Sequence, residues 1–284
     1  MNYLKEKNKI TIYDIDSFNV THIFECGQVF RYTKTDEYYE AVSKDQIARV
    51  YSYENRVEIL CSDEDYFENY FDLKTDYKQI KNSLKAFKID ALNMAIDYGY
   101  GIRILRQDEL ETIISFIISA NNNIKRIQGS LKKLSERFGT KLKSKIFGEY
   151  YAFPTLKQLS KINEAQFVEL GTGYRAGQLV KAILQLQNMN LKNVYNLSTN
   201  TATNTFIEMS GIGPKVADCV LLFGYYKMDV FPVDTWIEKV FNHYFCNGNP
   251  LTNRPLIRKE LVKIFDGLSG YAQQYLFYYE RTQK

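Results

Sequence analysis

The chain has 284 residues and a formal net charge of +4, long enough for two or three compact units with cores of their own. Tyr and Phe are abundant, at 23 and 18, against 1 Trp and 2 His, and no apolar run approaches the length of a membrane span, which excludes a helical integral membrane protein. The N-terminal MNYLKEKNKI lacks the apolar centre of a secretory signal, so a soluble cytoplasmic protein is expected, associated with the nucleoid in a prokaryote and nuclear in a eukaryote.

Residues 1 to about 74 read as β-rich. Short alternating or β-branched segments over 9–13, 28–33, 38–43, 48–53 and 56–61 are separated by polar turn residues such as Lys34-Thr35-Asp36 and Glu54-Asn55, which predicts an antiparallel meander. Asp63-Glu64-Asp65 marks a helix start ahead of Tyr66, Phe67 and Tyr70. Within this region Cys26-Gly27-Gln28-Val29-Phe30-Arg31-Tyr32 reads, on spacing alone, as strand residues around a glycine bulge.

From Asp76 onward the pattern turns helical, with candidate helices over 77–87 and 89–98. The stretch 108–120 is strongly apolar behind an acidic first turn, as a buried central helix requires. It ends in Asn121-Asn122-Asn123, a poor helix run suited to presenting amides. The next helix, 124–138, carries Lys125, Arg126, Lys132 and Lys133, which as charge alone make a solvated face. Phe153-Pro154-Thr155 opens another helix, and Leu170-Gly171-Thr172-Gly173-Tyr174-Arg175-Ala176 the one after. Glycines at that entrance permit close backbone approach, and Tyr174 beside Arg175 could wedge a base stack; a glycine turn with a core tyrosine fits the spacing equally well.

The stretch 206–224, FIEMSGIGPKVADCVLLFG, reads as helix, tight hairpin and helix. Gly211 and Gly213 can take positive φ, and Pro214 suits the first helical position, so the second helix offers free N–H groups to a phosphate oxygen. Lys215 sits in the first turn, where the helix dipole disfavours its charged form and is expected to lower its pKa toward a nucleophilic neutral amine. Cys219 lies one turn on, on the same side. Asp234 in FPVDTW occupies an N-cap position, which fixes a carboxylate and keeps it ionised; by itself that is a cap and nothing more. Near the C-terminus, Gln273 and Phe277 share a helix face within an aromatic stripe of the kind core packing usually makes.

Cys26, Cys61, Cys219 and Cys246 are too widely spaced for a zinc knuckle or an iron–sulfur cluster and read as four reduced thiols, and His22 and His243 are too far apart to suggest a metal. Residues 1–90 carry 13 Lys and Arg against 17 Asp and Glu, and residues 91–284 carry 24 against 16, so the basic excess lies with the hairpin, as a phosphate-binding face would have it.

Taken together and in order, CGQVFRY, SANNNIKRI, LGTGYRA, SGIGPKVADC with its downstream PVD, and GYAQQYLF resemble the helix-hairpin-helix DNA glycosylase superfamily and, within it, the 8-oxoguanine DNA glycosylases with AP lyase activity. The resemblance covers nearly the whole chain. It implies an α+β fold with an antiparallel β-rich N-terminal domain, the TBP-like half, over 1–88, able to pack with the C-terminal helix. Two all-α subdomains over 89–284 would follow and flank a cleft, with the helix-hairpin-helix motif at about 202–224. It also implies roles residue by residue. Lys215 would be the Schiff-base nucleophile and Asp234 the carboxylate that stabilises charge on the sugar. The Gly27 carbonyl would accept from N7–H of 8-oxoguanine, Gln273 would read the Watson–Crick edge, and Phe277 would stack on the base opposite Cys219. Asn121, Arg126 and Arg175 would bond the orphaned cytosine beside the Tyr174 wedge, and the Gly211 and Gly213 amides would hold phosphate. Thr172 replaces a usually apolar residue, and Trp236 stands where vertebrate members carry a histidine near the lesion's phosphate, which leaves the backbone grip there open.

The expectation is therefore a monomer acting on double-stranded DNA with no metal, no organic cofactor and no iron–sulfur cluster. Two other readings stand beside it. One is a monofunctional alkylbase glycosylase, which would not need Lys215, and the other a non-catalytic helix-hairpin-helix DNA-binding module, in which nothing is excised.

Overall fold

The computed structural model describes residues 1–246 and 248–283. Six strands form one antiparallel sheet: β1 (Tyr3–Glu6), β2 (Lys9–Ile12), β3 (Tyr32–Lys34), β4 (Tyr38–Ser43), β5 (Gln46–Ser52) and β6 (Val57–Cys61), in the spatial order β1-β2-β6-β5-β4-β3. Of the five segments expected to form a meander, four do so as the run β3 to β6; the first, β2, departs from that order by adding beyond β6, with Ile10 opposite Ile59, and β1 closes the sheet as an unanticipated hairpin partner. Strict alternation decides which face is buried. In β4, Tyr39, Ala41 and Ser43 point inward, against α1 (Val20–Glu25) and α2 (Glu64–Tyr70), where Phe24, Phe67 and Phe71 complete the core of this half.

The remaining helices are α3 (Tyr77–Lys85), α4 (Asp90–Tyr98), α5 (Glu109–Ser119), α6 (Ile124–Phe138), α7 (Leu156–Leu159), α8 (Glu164–Glu169), α9 (Ala176–Gln187), α10 (Thr199–Ile207), α11 (Pro214–Tyr225), α12 (Thr235–Tyr244), α13 (Arg254–Phe265) and α14 (Ser269–Thr282), with a small hairpin β7 (Lys141–Ser144) and β8 (Gly148–Tyr151) between α6 and α7. Asp108 caps α5 by accepting from the Glu111 amide at 3.0 Å, and the helix is buried over Thr112–Ile118 because it is apolar on nearly every face. It packs along α11, with Phe116 and Phe223 stacked at 5.5 Å. No helix among the described residues is long and apolar enough to cross a membrane.

The C-terminal helix reaches back to the first half of the chain. α14 packs on α4 and α12, and its Gln274 donates through Nε2 to the Cys26 carbonyl at 2.7 Å. A second tie runs through Asp72, 3 % exposed, whose carboxylate accepts from Tyr77, Arg106 and Tyr226, while Tyr226 pairs with Tyr271 of α14 at 2.7 Å. Tyr226 ends α11 in the left-handed conformation, so this cluster fixes the end of α11 against the start of α14.

One expected strand is displaced. Residues 28–33 yield a strand only from Tyr32, because Gln28 is spent otherwise: its amide donates to Ile23 and Arg103 carbonyls at 2.9 and 2.8 Å and accepts from the Leu105 amide at 2.9 Å. Side-chain bonds therefore replace the ladder and hold this segment against residues 103–105 rather than along the sheet edge.

Candidate active site

The hairpin follows from its glycines and proline. Gly211 has φ +80°, and a Cβ there would lie 3.1 Å from both Ile117 and Gln178, so conformation and packing both require glycine. Gly213 departs from the expectation of positive φ. It has φ −91° and ψ 178°, extended backbone at the N-cap of α11, exposed, with nothing within 4 Å of an added Cβ. Its value is open space, which leaves the first amides of α11 accessible.

Pro214 starts α11, and Lys215 is half-buried in the first turn with Nζ 5.4 Å from the Phe116 ring centroid. Cys219, one turn on, is 3 % exposed; burial pushes its thiol up to about 11, with Lys215 opposing and Asp234 reinforcing the shift. Lys215 and Asp234 thus both lie close enough to act on one sulfur, which stays a neutral thiol at physiological pH. Asp234 caps α12 as the sequence predicts, its Oδ1 accepting from the amides of Trp236 and Ile237, both at 3.0 Å. Oδ2 is not spent on the cap.

A second wall comes from α14 and the turn after α1. Gln273 is 5 % exposed, and its Nε2 donates to the Pro232 carbonyl at 3.4 Å, two residues before Asp234, while Oε1 has no protein partner. Gly27 follows the end of α1 at φ +83°, and a Cβ on it would lie 3.1 Å from the Phe277 ring. The glycine is therefore a helix-terminating residue, not a strand bulge, and Phe277 closes over it. α14 and α11 are the common frame, so Gly27, Gln273, Phe277, Lys215, Cys219 and Asp234 all stand on elements tied to one another.

The third group lies beyond α5. Asn121 takes a left-handed φ of 49° and is exposed, Asn123 caps α6 by accepting from the Arg126 amide at 3.0 Å, and the Arg126 side chain is exposed. Tyr174 is 64 % exposed, as a wedge would be and a core tyrosine would not. Arg175 is placed differently from a side chain waiting for a base. It is 4 % exposed, with Nε donating to the Ala120 carbonyl at 2.7 Å, Nη2 to the Asn121 carbonyl at 2.7 Å and Nη1 to the Thr172 carbonyl at 3.2 Å. In this state it ties the loop that carries Asn121.

Two ion pairs that support the site escape sequence reasoning. Asp218, 0 % exposed on α11, forms a two-point bond with Arg258 of α13, at 2.5 and 2.8 Å, fixing α11 from behind. Arg31, inside CGQVFRY, pairs with Glu111 of α5 at 3.0 Å and donates to the Tyr151 carbonyl at 2.7 Å. Burial raises the Glu111 carboxyl and Arg31 opposes it. A polar residue inside an apolar helix is the only signal of either pair, and it does not name the partner.

Residues 10–113 match the 8-oxoguanine DNA glycosylase N-terminal domain, and residues 114–265 match the HhH-GPD superfamily of base excision DNA repair proteins. The chain is 30 % identical over 239 residues to a probable N-glycosylase/DNA lyase of Methanothermobacter thermautotrophicus, covering 75 % of this chain and 73 % of that one. It is 32 % identical over 213 residues to the N-glycosylase/DNA lyase of Saccharomyces cerevisiae, covering 62 % of this chain and 56 % of the yeast protein. Among solved structures, the Clostridium acetobutylicum 8-oxoguanine glycosylase/lyase in complex with double-stranded DNA containing cytosine opposite 8-oxoguanine matches with a TM-score of 0.92 and 36 % identity, over 100 % of this chain and 98 % of that one. The α+β fold, the hairpin at 208–213 and these matches agree, and the chain belongs to the HhH-GPD superfamily of base excision DNA repair proteins, with the N-terminal domain of its 8-oxoguanine DNA glycosylases.

Proposed function

We propose that this protein flips 8-oxoguanine out of duplex DNA, excises it through a Schiff base on Lys215 and nicks the strand by β-elimination. The observation that carries the reading is Gln273. A buried amide oxygen without a partner costs about 1–3 kcal/mol, so Oε1, fixed by the bond of Nε2 to Pro232, is an acceptor kept for the N–H groups of a purine Watson–Crick edge.

The base cannot be reached inside the duplex and must be extruded. Amides of the hairpin at Gly211 and Gly213 hold the backbone phosphate, and Tyr174 fills the gap. Asn121, Arg126 and Arg175 take the orphaned base, Arg175 after giving up its carbonyl partners. In the pocket the neutral Cys219 thiol and Phe277 present apolar faces to the purine ring. The Gly27 carbonyl accepts from N7–H; guanine has a lone pair at that atom, so acceptor would face acceptor. Lys215 Nζ attacks C1′ as the bond to N9 breaks, and Asp234 stabilises the positive charge that develops on the sugar. The C1′–O4′ bond then opens, O4′ taking up a proton, to leave a protonated Schiff base at C1′; loss of a C2′ proton expels the 3′ phosphate, and one chain completes the sequence on one lesion.

The test is single-turnover excision from duplexes carrying 8-oxoguanine opposite each of the four bases, with guanine and an alkylated purine alongside. Excision and nicking confined to 8-oxoguanine are expected. Release of the alkylated purine alone, or salt-sensitive binding with no product, would overturn the reading.

Gly27→Ala is expected to lower 8-oxoguanine excision about 10- to 100-fold, because the added methyl meets Phe277 and the left-handed backbone resists it by about 1–2 kcal/mol. Nicking of a preformed abasic site, where no base is read, should survive; equal loss of both would contradict the assignment of Gly27 to base reading.

A further inference from the structure

The guanidinium of Arg281 lies against Gly27 and over the Phe277 ring, and no step above uses it. α14 carries it there: Arg281 lies one turn beyond Phe277 on the same face, with Cζ 5.1 Å from the Phe277 ring centroid. Its Nη2 donates to the Glu25 carbonyl, two residues before Gly27. A Cβ built on Gly27 would lie 2.7 Å from Arg281 Nη1, so Nη1 and Gly27 are immediate neighbours. The Glu25 carboxylate accepts from Tyr39 and Lys34 at 2.5 and 2.8 Å, and among the described residues the one hydrogen bond of the Arg281 side chain is to the Glu25 backbone. A guanidinium has five N–H donors, so this one keeps donors to spare beside Gly27.

We propose that Arg281 bonds the C8 oxygen of the lesion and stabilises the charge that appears there as the base departs; this rests on the reading of the slot given above. In 8-oxoguanine N7 and C8 are adjacent ring atoms, so the group beside the acceptor of N7–H is also beside O8. The chemistry gives that position a purpose. When the C1′–N9 bond breaks, its electron pair passes to N9 and, through the conjugated C8 carbonyl, onto O8. Lys215 Nζ supplies the pair for the new bond to C1′, and the proton its nitrogen sheds balances the negative charge of the departing base. A fixed positive group at O8 meets charge that is larger in the transition state than in the bound lesion, which is the condition for accelerating the step. Guanine offers a C–H at the same place and gains nothing from it. Arg281 thus adds a donor for C8=O to the acceptor for N7–H at Gly27.

Arg281→Leu and Arg281→Lys test this at saturating protein, with 8-oxoguanine opposite cytosine and with a preformed abasic site. The Leu variant should excise 8-oxoguanine about tenfold more slowly, as loss of one charge-assisted bond at a half-exposed site implies, with the abasic site nicked at the parent rate and the Lys variant recovering most of the loss. An unchanged excision rate in the Leu variant would overturn the proposal. So would equal loss on both substrates, or a fall in thermal midpoint that accounts for it, because either marks Arg281 as a fastening between α14 and Glu25. Failure of the parent protein to excise 8-oxoguanine would defeat the reading of the slot and is seen separately.

Discussion

Lys215→Gln is expected to bind an 8-oxoguanine duplex within a few-fold of the parent protein and to release the base at least about 1,000-fold more slowly, with no covalent complex trapped by borohydride. Binding survives because the phosphate grip comes from backbone amides of the hairpin, and the glutamine amide keeps the length and polarity of the side chain. Chemistry fails because an amide nitrogen has no available lone pair to attack C1′. The surroundings of Lys215 tell against a structural role. It makes no salt bridge within 4.0 Å among the described residues, and its Nζ lies over Phe116 near Cys219. Stability should therefore change little. Retention of both base release and nicking would remove Lys215 from the mechanism; retention of base release alone would leave it only in the lyase step.

Arg31→Met is expected to destabilise the protein by about 3–5 kcal/mol at pH 7, because it strands a buried carboxylate. Arg31 and Glu111 side chains are 7 % and 9 % exposed, and Glu111 also accepts from the Lys44 amide at 2.9 Å, so the pair joins the β-rich half to α5. The pH dependence has a definite sign. Burial already holds the folded Glu111 carboxyl above its ordinary 4.5, and removal of the guanidinium, which opposes that shift, raises it further. A carboxyl raised in the folded state favours folding when protonated, below its unfolded value, and loses that contribution as pH rises through its folded value. The deficit of the variant is therefore full at neutral pH and shrinks as pH falls through the raised folded value toward 4.5. Urea melts of both proteins across this range check it; a deficit under about 1 kcal/mol, or one that is the same at every pH, would show that the pair does not fasten the two halves.

Local patterns were the part of the fold a reader of the sequence could recover. The helix over 124–138, the cap at Asp234 and the hairpin before Pro214 each depend on side chains within a few residues of one another, and each is found where the pattern puts it. α1 was not legible: its six residues, VTHIFE, are mostly β-branched or aromatic, and it forms because Asn19 caps it and Val20, Ile23 and Phe24 bury against the sheet. The limits of 28–33 failed for the same reason, since partners of Gln28 lie 75 and 77 residues away.

The site divides along the same line. Motif order named Lys215, Asp234, Gly27, Gln273 and Phe277, and the structure sets them on elements that are fastened together. What the pattern could not give was the state of each group. Arg175 is tied to carbonyls, Gly213 is extended, and Arg281 reaches the Glu25 carbonyl and Gly27 only because α14 crosses back to the end of α1. Pairs such as Asp218 with Arg258 join residues 40 positions apart, and nothing local names the partner.

The most direct measurement is borohydride reduction of the parent protein with an 8-oxoguanine·cytosine duplex, followed by peptide mass mapping of the trapped adduct. The account predicts one adduct, on Lys215, and none with the undamaged duplex. An adduct on another amine, or base release with no adduct at all, would contradict it.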